Sequence, residues 1–217
     1  MPQRPPDVQP EILRGDLTEE LLEAYLSGPE IAIDTETMGL QTARDRLCVV
    51  QLSNGDGTAD VVRIEAGQRA APNLARMLAD ANILKVFHFA RFDMAALAHA
   101  FGAMPAPVYC TKIASKLART YTDRHGLKDL TRELLGVEVS KQQQSSDWGA
   151  AALSEAQLSY AASDVLHLHA LRERLDAMLK REGRDGHARD ACGYLPARVR
   201  LDLAGFEAHD LFAHASP

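Results

Sequence analysis

Apolar and polar positions follow two rhythms along the 217 residues, and the rhythm changes near residue 70. Before it, helical spacing over about Leu17 to Ser27, opened by Asp16 with Glu19 three residues on and closed by Gly28, predicts a first helix. The apolar run Ile31-Ala32-Ile33 then predicts a buried strand ending at Asp34 to Thr37. Leu47 to Ser53 and Thr58 to Ile64, joined by the turn Asn54-Gly55-Asp56-Gly57, predict an antiparallel hairpin, so three consecutive strands begin the sheet as a meander. After it helix and strand alternate: a helix near Pro72 to Ala79, a strand Ile83 to Phe89, a helix Arg91 to Phe101, a short strand Val108 to Cys110 and a helix from Thr111. Strands separated by helices need crossovers and are expected to be parallel neighbours. The prediction is an α/β fold with a mixed central sheet, antiparallel meander plus parallel strands, flanked by helices.

Past Gly126 the pattern is mostly helical. Leu127 to Leu135 predicts a helix and Ser140 to Asp147 a polar loop, and Ser154-Glu155-Ala156-Gln157 has the capping-box form that opens a long helix. Gly183 to Gly186 interrupts it. The remainder, including Leu195 to Leu203 and Phe206 to His214, is too short for a second domain and apolar enough to need a surface to cover. The expectation is one domain over 1–217, its core at about 30–180, with a short N-terminal helix, a helical C-terminal tail and no separate nucleic-acid-binding domain. Alanine-rich helices and an uncovered tail point to self-association.

Composition changes this picture little: 46% hydrophobic and 25% charged residues are ordinary for a globular chain, which sets aside disordered and disulfide-scaffold classes. Cys48, Cys110 and Cys192 are far apart and in no C-x-x-C pair, against a disulfide framework or thiolate metal site. The polar, proline-rich start Met1 to Pro10 has no apolar core segment and no later stretch reaches a membrane span, so a cytoplasmic location is expected. A net charge of -6 has the wrong sign for gripping long nucleic acid. Between Lys112 and Arg132, however, Lys112, Lys116, Arg119, Arg124, Lys128 and Arg132 outnumber Asp123 and Asp129. That run is either a local basic patch or a solvated helical face.

The candidate chemistry lies in carboxylates. Asp34 and Glu36, two apart on a strand, leave the same face with alpha carbons roughly 6.6 Å apart. About one Asp-x-Glu is expected by chance in this composition, so the pair alone is weak. Tyr160 and Asp164, four apart in a helix, share a face, but a tyrosine at that spacing is usually a core residue with a wet hydroxyl. Asp93, in the first turn of a helix, would ordinarily be explained by the helix dipole. Their joint arrangement carries more: an acidic pair on the first strand, an acid just after a later strand and an acid on a late helix can meet at one sheet edge. Four carboxylates without a cationic partner require bound cations, and an all-oxygen set favours Mg²⁺ or Mn²⁺. Two such ions would clamp a scissile phosphate between them, while Tyr160, a poor base at neutral pH, would orient the attacking water.

Three segments now combine. Ile31-Ala32-Ile33-Asp34-Thr35-Glu36-Thr37, Phe87-His88-Phe89-Ala90-Arg91-Phe92-Asp93 and Tyr160-Ala161-Ala162-Ser163-Asp164 together resemble the three exonuclease motifs of the DEDD superfamily of 3'-to-5' exonucleases, tyrosine subclass. The subclass follows from Tyr160 four before Asp164, since the histidine subclass would need His where Ser159 stands. The element order is accordingly that of the ribonuclease-H-like fold. RNase D is the familiar relative, and Lys141-Gln142-Gln143-Gln144-Ser145-Ser146-Asp147-Trp148 also resembles its pattern.

RNase D carries helical nucleic-acid-binding domains after its exonuclease domain, whereas some 35 residues follow Lys180 here. The whole chain, with Thr120-Tyr121-Thr122-Asp123-Arg124-His125-Gly126 and the closing Phe206 to His214, is more similar to the compact RNase D-like enzymes of the nanoRNase C type. That resemblance implies hydrolysis of very short RNA, dinucleotides above all, and a ring-shaped homo-octamer. By motif position Thr37, Met38 and Leu40 should lie beside the terminal nucleotides, with Leu40 wedged against a base. His88 and Phe89 would contact sugar or base, against the plainer reading of a buried strand with one satisfied histidine. Trp148 would stack on a base or on a neighbouring subunit. The rival readings are a general RNase D-type exonuclease trimming longer RNA and a binding or assembly module on an inactive exonuclease fold.

Overall fold

The computed structural model describes residues 10–140, 142–143 and 145–214. The proline-rich start before Pro10, and Lys141 and Gln144 of the polar stretch, lie outside them. The strands are β1 (Glu11–Arg14), β2 (Glu30–Thr37), β3 (Leu47–Ser53), β4 (Asp60–Arg63), β5 (Leu84–Phe87) and β6 (Val108–Cys110). The helices are α1 (Glu19–Leu26), α2 (Pro72–Ala79), α3 (Ala90–Phe101), α4 (Thr111–Ala118), α5 (Leu127–Leu130), α6 (Glu155–Leu166), α7 (Leu168–Arg181) and α8 (Asp185–Leu201). α5 runs into a π-helical turn, Thr131–Leu135, and α8 into another, Asp202–Phe206.

One six-stranded sheet holds them in the order β1-β4-β3-β2-β5-β6. β2, β3 and β4 form the expected antiparallel meander, and β5 and β6 add in parallel beside β2. The sheet does not begin with the meander: β1 precedes it and pairs parallel to β4 at the far edge. Four residues with one buried side chain, Leu13, carry no alternation long enough to read.

Sequence punctuation marks most ends, with one reassignment. α1 is capped by Thr18, whose side chain accepts from Leu21 N. Asp16 accepts instead from the backbone N–H groups of Asn73 and Leu74, each at 2.9 Å, and so caps α2, whose own N-cap position is the capless Ala71. Ser154 and Gln157 close the predicted capping box on α6. The long helix then breaks at His167, and α8 follows Gly183 and runs through Gly186, Gly193 and Pro196. Those residues are poor helix formers, which is why the segment reads from sequence only as a tail.

The two faces of the sheet bury different partners. Ile31 and Ile33 of β2 pack with α1, α2, α3 and α8 through Leu22, Leu74, Met94 and Val199. Ala32 points the other way, into a cluster with Val86, Leu130, Ala162, Val165 and Leu168. By the same alternation Asp34 and Glu36 emerge on the α6 side and Thr35 on the α3 side, placing the acids at the end of β2 between two layers.

Candidate metal centre

Asp34, Glu36 and Asp164 bring one carboxylate oxygen each to within 4.8 Å of one another. The i, i+4 spacing of α6 sets the Tyr160 hydroxyl beside the Asp164 carboxylate, close enough for each to shift the other's proton affinity. Asp93 arrives from the opposite layer. Its Oδ1 accepts from the Thr35 hydroxyl at 2.7 Å, and it stands outside the tight trio while still raising the proton affinity of Glu36. Thr35 is the residue sequence reasoning passed over: lying between two acids on a strand, it can only face the other layer, where Asp93 stands.

Electrostatics single this cluster out. Burial pushes the Asp34 carboxyl up to about 7, opposed by the Thr35 backbone N–H. Glu36 goes to about 10, from burial first and then from the charges of Asp34, Asp164 and Asp93. Burial and then Asp34 also hold Asp93 and Asp164 well above the usual carboxylate range. Tyr160 is raised by burial and then by Asp164 and Glu36, so its phenol keeps its proton at neutral pH. Among the described residues, no ion pair offers any of the four acids a cationic partner. Such a set resists ionisation as a group unless a cation enters it. An all-oxygen donor set this close fits a hard divalent ion.

Apart from Trp148, the residues expected to contact substrate lie in the chain just after Glu36 and just before Asp93. The β2–β3 register shifts between Glu36 and Thr37, where Thr37 still pairs with Leu47; Thr37 Oγ1 donates to Gly39 O at 2.5 Å, and Met38 and Leu40 are 51% and 81% exposed. Phe89 is half exposed and left-handed at φ 70°, with Lys112 Nζ 4.3 Å from its ring centre. The Thr111 hydroxyl donates to Phe87 O at 3.1 Å and therefore accepts at 2.9 Å from His88 Nδ1–H, which fixes the tautomer. Trp148 differs from expectation. It is 3% exposed and packs against Tyr160, ring centres 6.0 Å apart, so it has no free face for a base. The basic run also shrinks. Arg119 is fully buried on Glu133, and Arg132 pairs with Asp129, leaving Lys112, Lys116, Arg124 and Lys128 outside those pairs.

A family model described as 3'-5' exonuclease matches residues 11–180. The chain belongs to this 3'-5' exonuclease family. The chain is also similar to the NrnC nuclease of Brucella melitensis solved with bound Mg²⁺, at 57% identity and a TM-score of 0.91. The same nuclease bound to pGG is 58% identical with a TM-score of 0.92. In both cases the match covers 96% of this chain and 100% of the other. Ribonuclease D of Gluconacetobacter diazotrophicus is 38% identical over 169 residues, which are 78% of this chain and 42% of that protein. The chain thus spans less than half the length of that curated relative. Family membership agrees with the DEDD resemblance and with dependence on a divalent cation.

Proposed function

We propose that this exonuclease is a metal-dependent 3'-to-5' exoribonuclease of very short RNA, dinucleotides above all, and that Asp34, Glu36, Asp93, Tyr160 and Asp164 are its active site. The observation that carries the reading is the close cluster of Asp34, Glu36 and Asp164 carboxylates, which no ion pair among the described residues supplies with a cationic side chain. The Mg²⁺ and pGG in the Brucella melitensis NrnC structures, at 57% and 58% identity, support the cofactor and the substrate class.

Asp34, Glu36, Asp93 and Asp164 would hold two divalent ions, Mg²⁺ or Mn²⁺. When bound, such ions lower the pKa of a water and neutralise charge developing on the phosphate and the leaving 3' oxygen. The protein's part is placement. The Tyr160 phenol, kept protonated by its buried acidic surroundings, orients the attacking water and does not act as the base. The Thr35 hydroxyl holds the Asp93 carboxylate in place through its Oδ1. Met38 and Leu40, exposed on the segment after Glu36, would receive the terminal base, with Thr37 ordering that segment and His88 and Phe89 on the segment before Asp93.

A single domain over 1–217, a cytoplasmic location and a homo-oligomer, an octamer by the same kinship, complete the proposal. Among the described residues no helix is long and apolar enough to cross a membrane. The test is a time course on 5'-labelled RNAs two to ten nucleotides long with Mg²⁺. Much faster cleavage of the dinucleotide is expected, whereas equal or faster trimming of the longer chains would make this a general RNase D-type enzyme. Leu40→Ala should raise KM for the dinucleotide, and unchanged kinetics would remove Leu40 from the wedge role.

A further inference from the structure

The loop before α6 touches both sides of the site without contributing to it. Trp148 is buried among Cys48, Val49, Val61 and Ala161 and leans on the Tyr160 ring at an interplanar angle of 42°. The next residue, Gly149, meets the segment after β2: a Cβ there would fall 2.4 Å from Met38 Sδ and 3.1 Å from Arg46 Nη2. No side chain fits at 149 while the Met38 thioether keeps its place. Met38 is tied in turn to β3's entry by its N–H donating to Arg46 O at 3.0 Å.

The loop is latched from three directions. Arg63 of β4 donates to Ala150 O and Ala151 O at 2.8 and 2.9 Å. Gln157 Nε2 donates to Asp147 O at 3.1 Å from inside the α6 capping box. Asp147 Oδ1 accepts from Gly149 N at 3.0 Å and closes the turn on itself. These contacts give a short irregular segment fixed geometry in a place where loops are ordinarily mobile.

We propose that the Trp148–Gly149 turn is a positioning element of the site: the indole holds the Tyr160 ring in the rotamer that keeps its hydroxyl beside Asp164, and the bare Gly149 seats Met38 at the lip. One latched loop thereby couples the group that orients water to the group that receives the base. The inference rests on the functional reading given above. Trp148 and Gly149 touch no reacting atom, so their effects should divide by side, kcat through Trp148 and KM through Gly149. Displacing an orienting group by about an ångström is enough for a loss of tenfold or more.

The experiment is steady-state cleavage of pGG with Mg²⁺ by the full chain, normalised to folded protein, with Tm read alongside. Trp148→Leu, which keeps apolar bulk without the flat ring, should lower kcat by about tenfold with KM within about twofold, and Trp148→Phe should recover most of it. Arg63→Met, which unlatches the loop without entering the core, should lower kcat more mildly at nearly unchanged Tm. Gly149→Ala should raise KM at near wild-type kcat, and in a Met38→Ala background the same change should add little, because its nearest collision partner is gone and only the flexible end of Arg46 remains in tight contact. Wild-type kcat in Trp148→Leu, a loss that Phe fails to recover, or additive effects of Gly149→Ala and Met38→Ala would each overturn the proposal while the active wild type leaves the functional reading intact. A wild type that cleaves no RNA at all would overturn both.

Discussion

Two buried polar clusters in this molecule are built on opposite plans. Around Arg119, whose side chain is fully buried, every charge is answered. Its guanidinium donates to both Glu133 oxygens, to Ser115 Oγ at 3.0 Å and to Arg124 O at 2.7 Å, while Tyr121 OH donates to Glu133 Oε1 at 2.7 Å. Around Asp34 no cationic side chain among the described residues pairs with the acids: burial and mutual charge raise their proton affinity, opposed only by hydroxyls and backbone N–H groups. A buried charge network that the protein satisfies itself is scaffold, since removing a partner leaves an orphan charge. One left unsatisfied by the protein is held for something from outside. The contrast distinguishes the site from the scaffold without reference to any relative.

The comparison breaks most sharply at Asp164. Asp164→Asn should abolish dinucleotide cleavage, by about 10³-fold or more on the scale of lost transition-state electrostatics. In EDTA it should leave Tm unchanged or higher, because one member of a repelling set is gone. A lower Tm in EDTA would mean the acids stabilise the fold and the contrast is false.

Arg119→Met should do the reverse. Activity per folded molecule should stay near wild type while urea denaturation shows a loss of about 2–3 kcal/mol. That is below the usual cost of a broken buried pair because Glu133 is 41% exposed. Next in size, Mg²⁺ at a hundred times its Kd should stabilise the wild type by about 2.7 kcal/mol and Asp164→Asn by much less, read as a shift of the urea midpoint.

Lys85 is an intermediate case and supplies the smallest effect. Buried on β5, its ammonium donates to Asp80 O and Ala106 O, and burial lowers its pKa from 10.5 to about 8. With the folded value depressed, the unfolded chain binds more protons between about pH 8 and 10.5, so Lys85 makes stability rise with pH across that window. Lys85→Met should flatten that slope. A wild-type slope unchanged by the substitution would show that Lys85 is not its source.

How much of this the sequence carried depends on the range of each signal. Leu47–Ser53, Pro72–Ala79 and Val108–Cys110 appear with the expected ends, since local turn and proline chemistry sets them. Asp34 and Glu36 on one face, and Tyr160 with Asp164 on one helical face, follow from periods of 2 and 3.6 residues, and their convergence follows from the sheet order. What the spacing does not carry is contact across the fold. Asp16 caps a helix 57 residues away, Thr35 holds Asp93 across 58, and Arg119 and Trp148 are buried where the charge run suggested an exposed basic stretch and the family resemblance an aromatic stacking on a base or a neighbouring subunit. Each depends on which elements become neighbours, a property of the packed molecule.

The most direct test of the central claim is the rate of 5'-labelled diribonucleotide hydrolysis by the wild type with Mg²⁺ and after removal of metal with EDTA. The account predicts rapid cleavage with Mg²⁺, none in EDTA and full recovery when Mg²⁺ is restored. Undiminished cleavage in EDTA, or none with either Mg²⁺ or Mn²⁺, would contradict it.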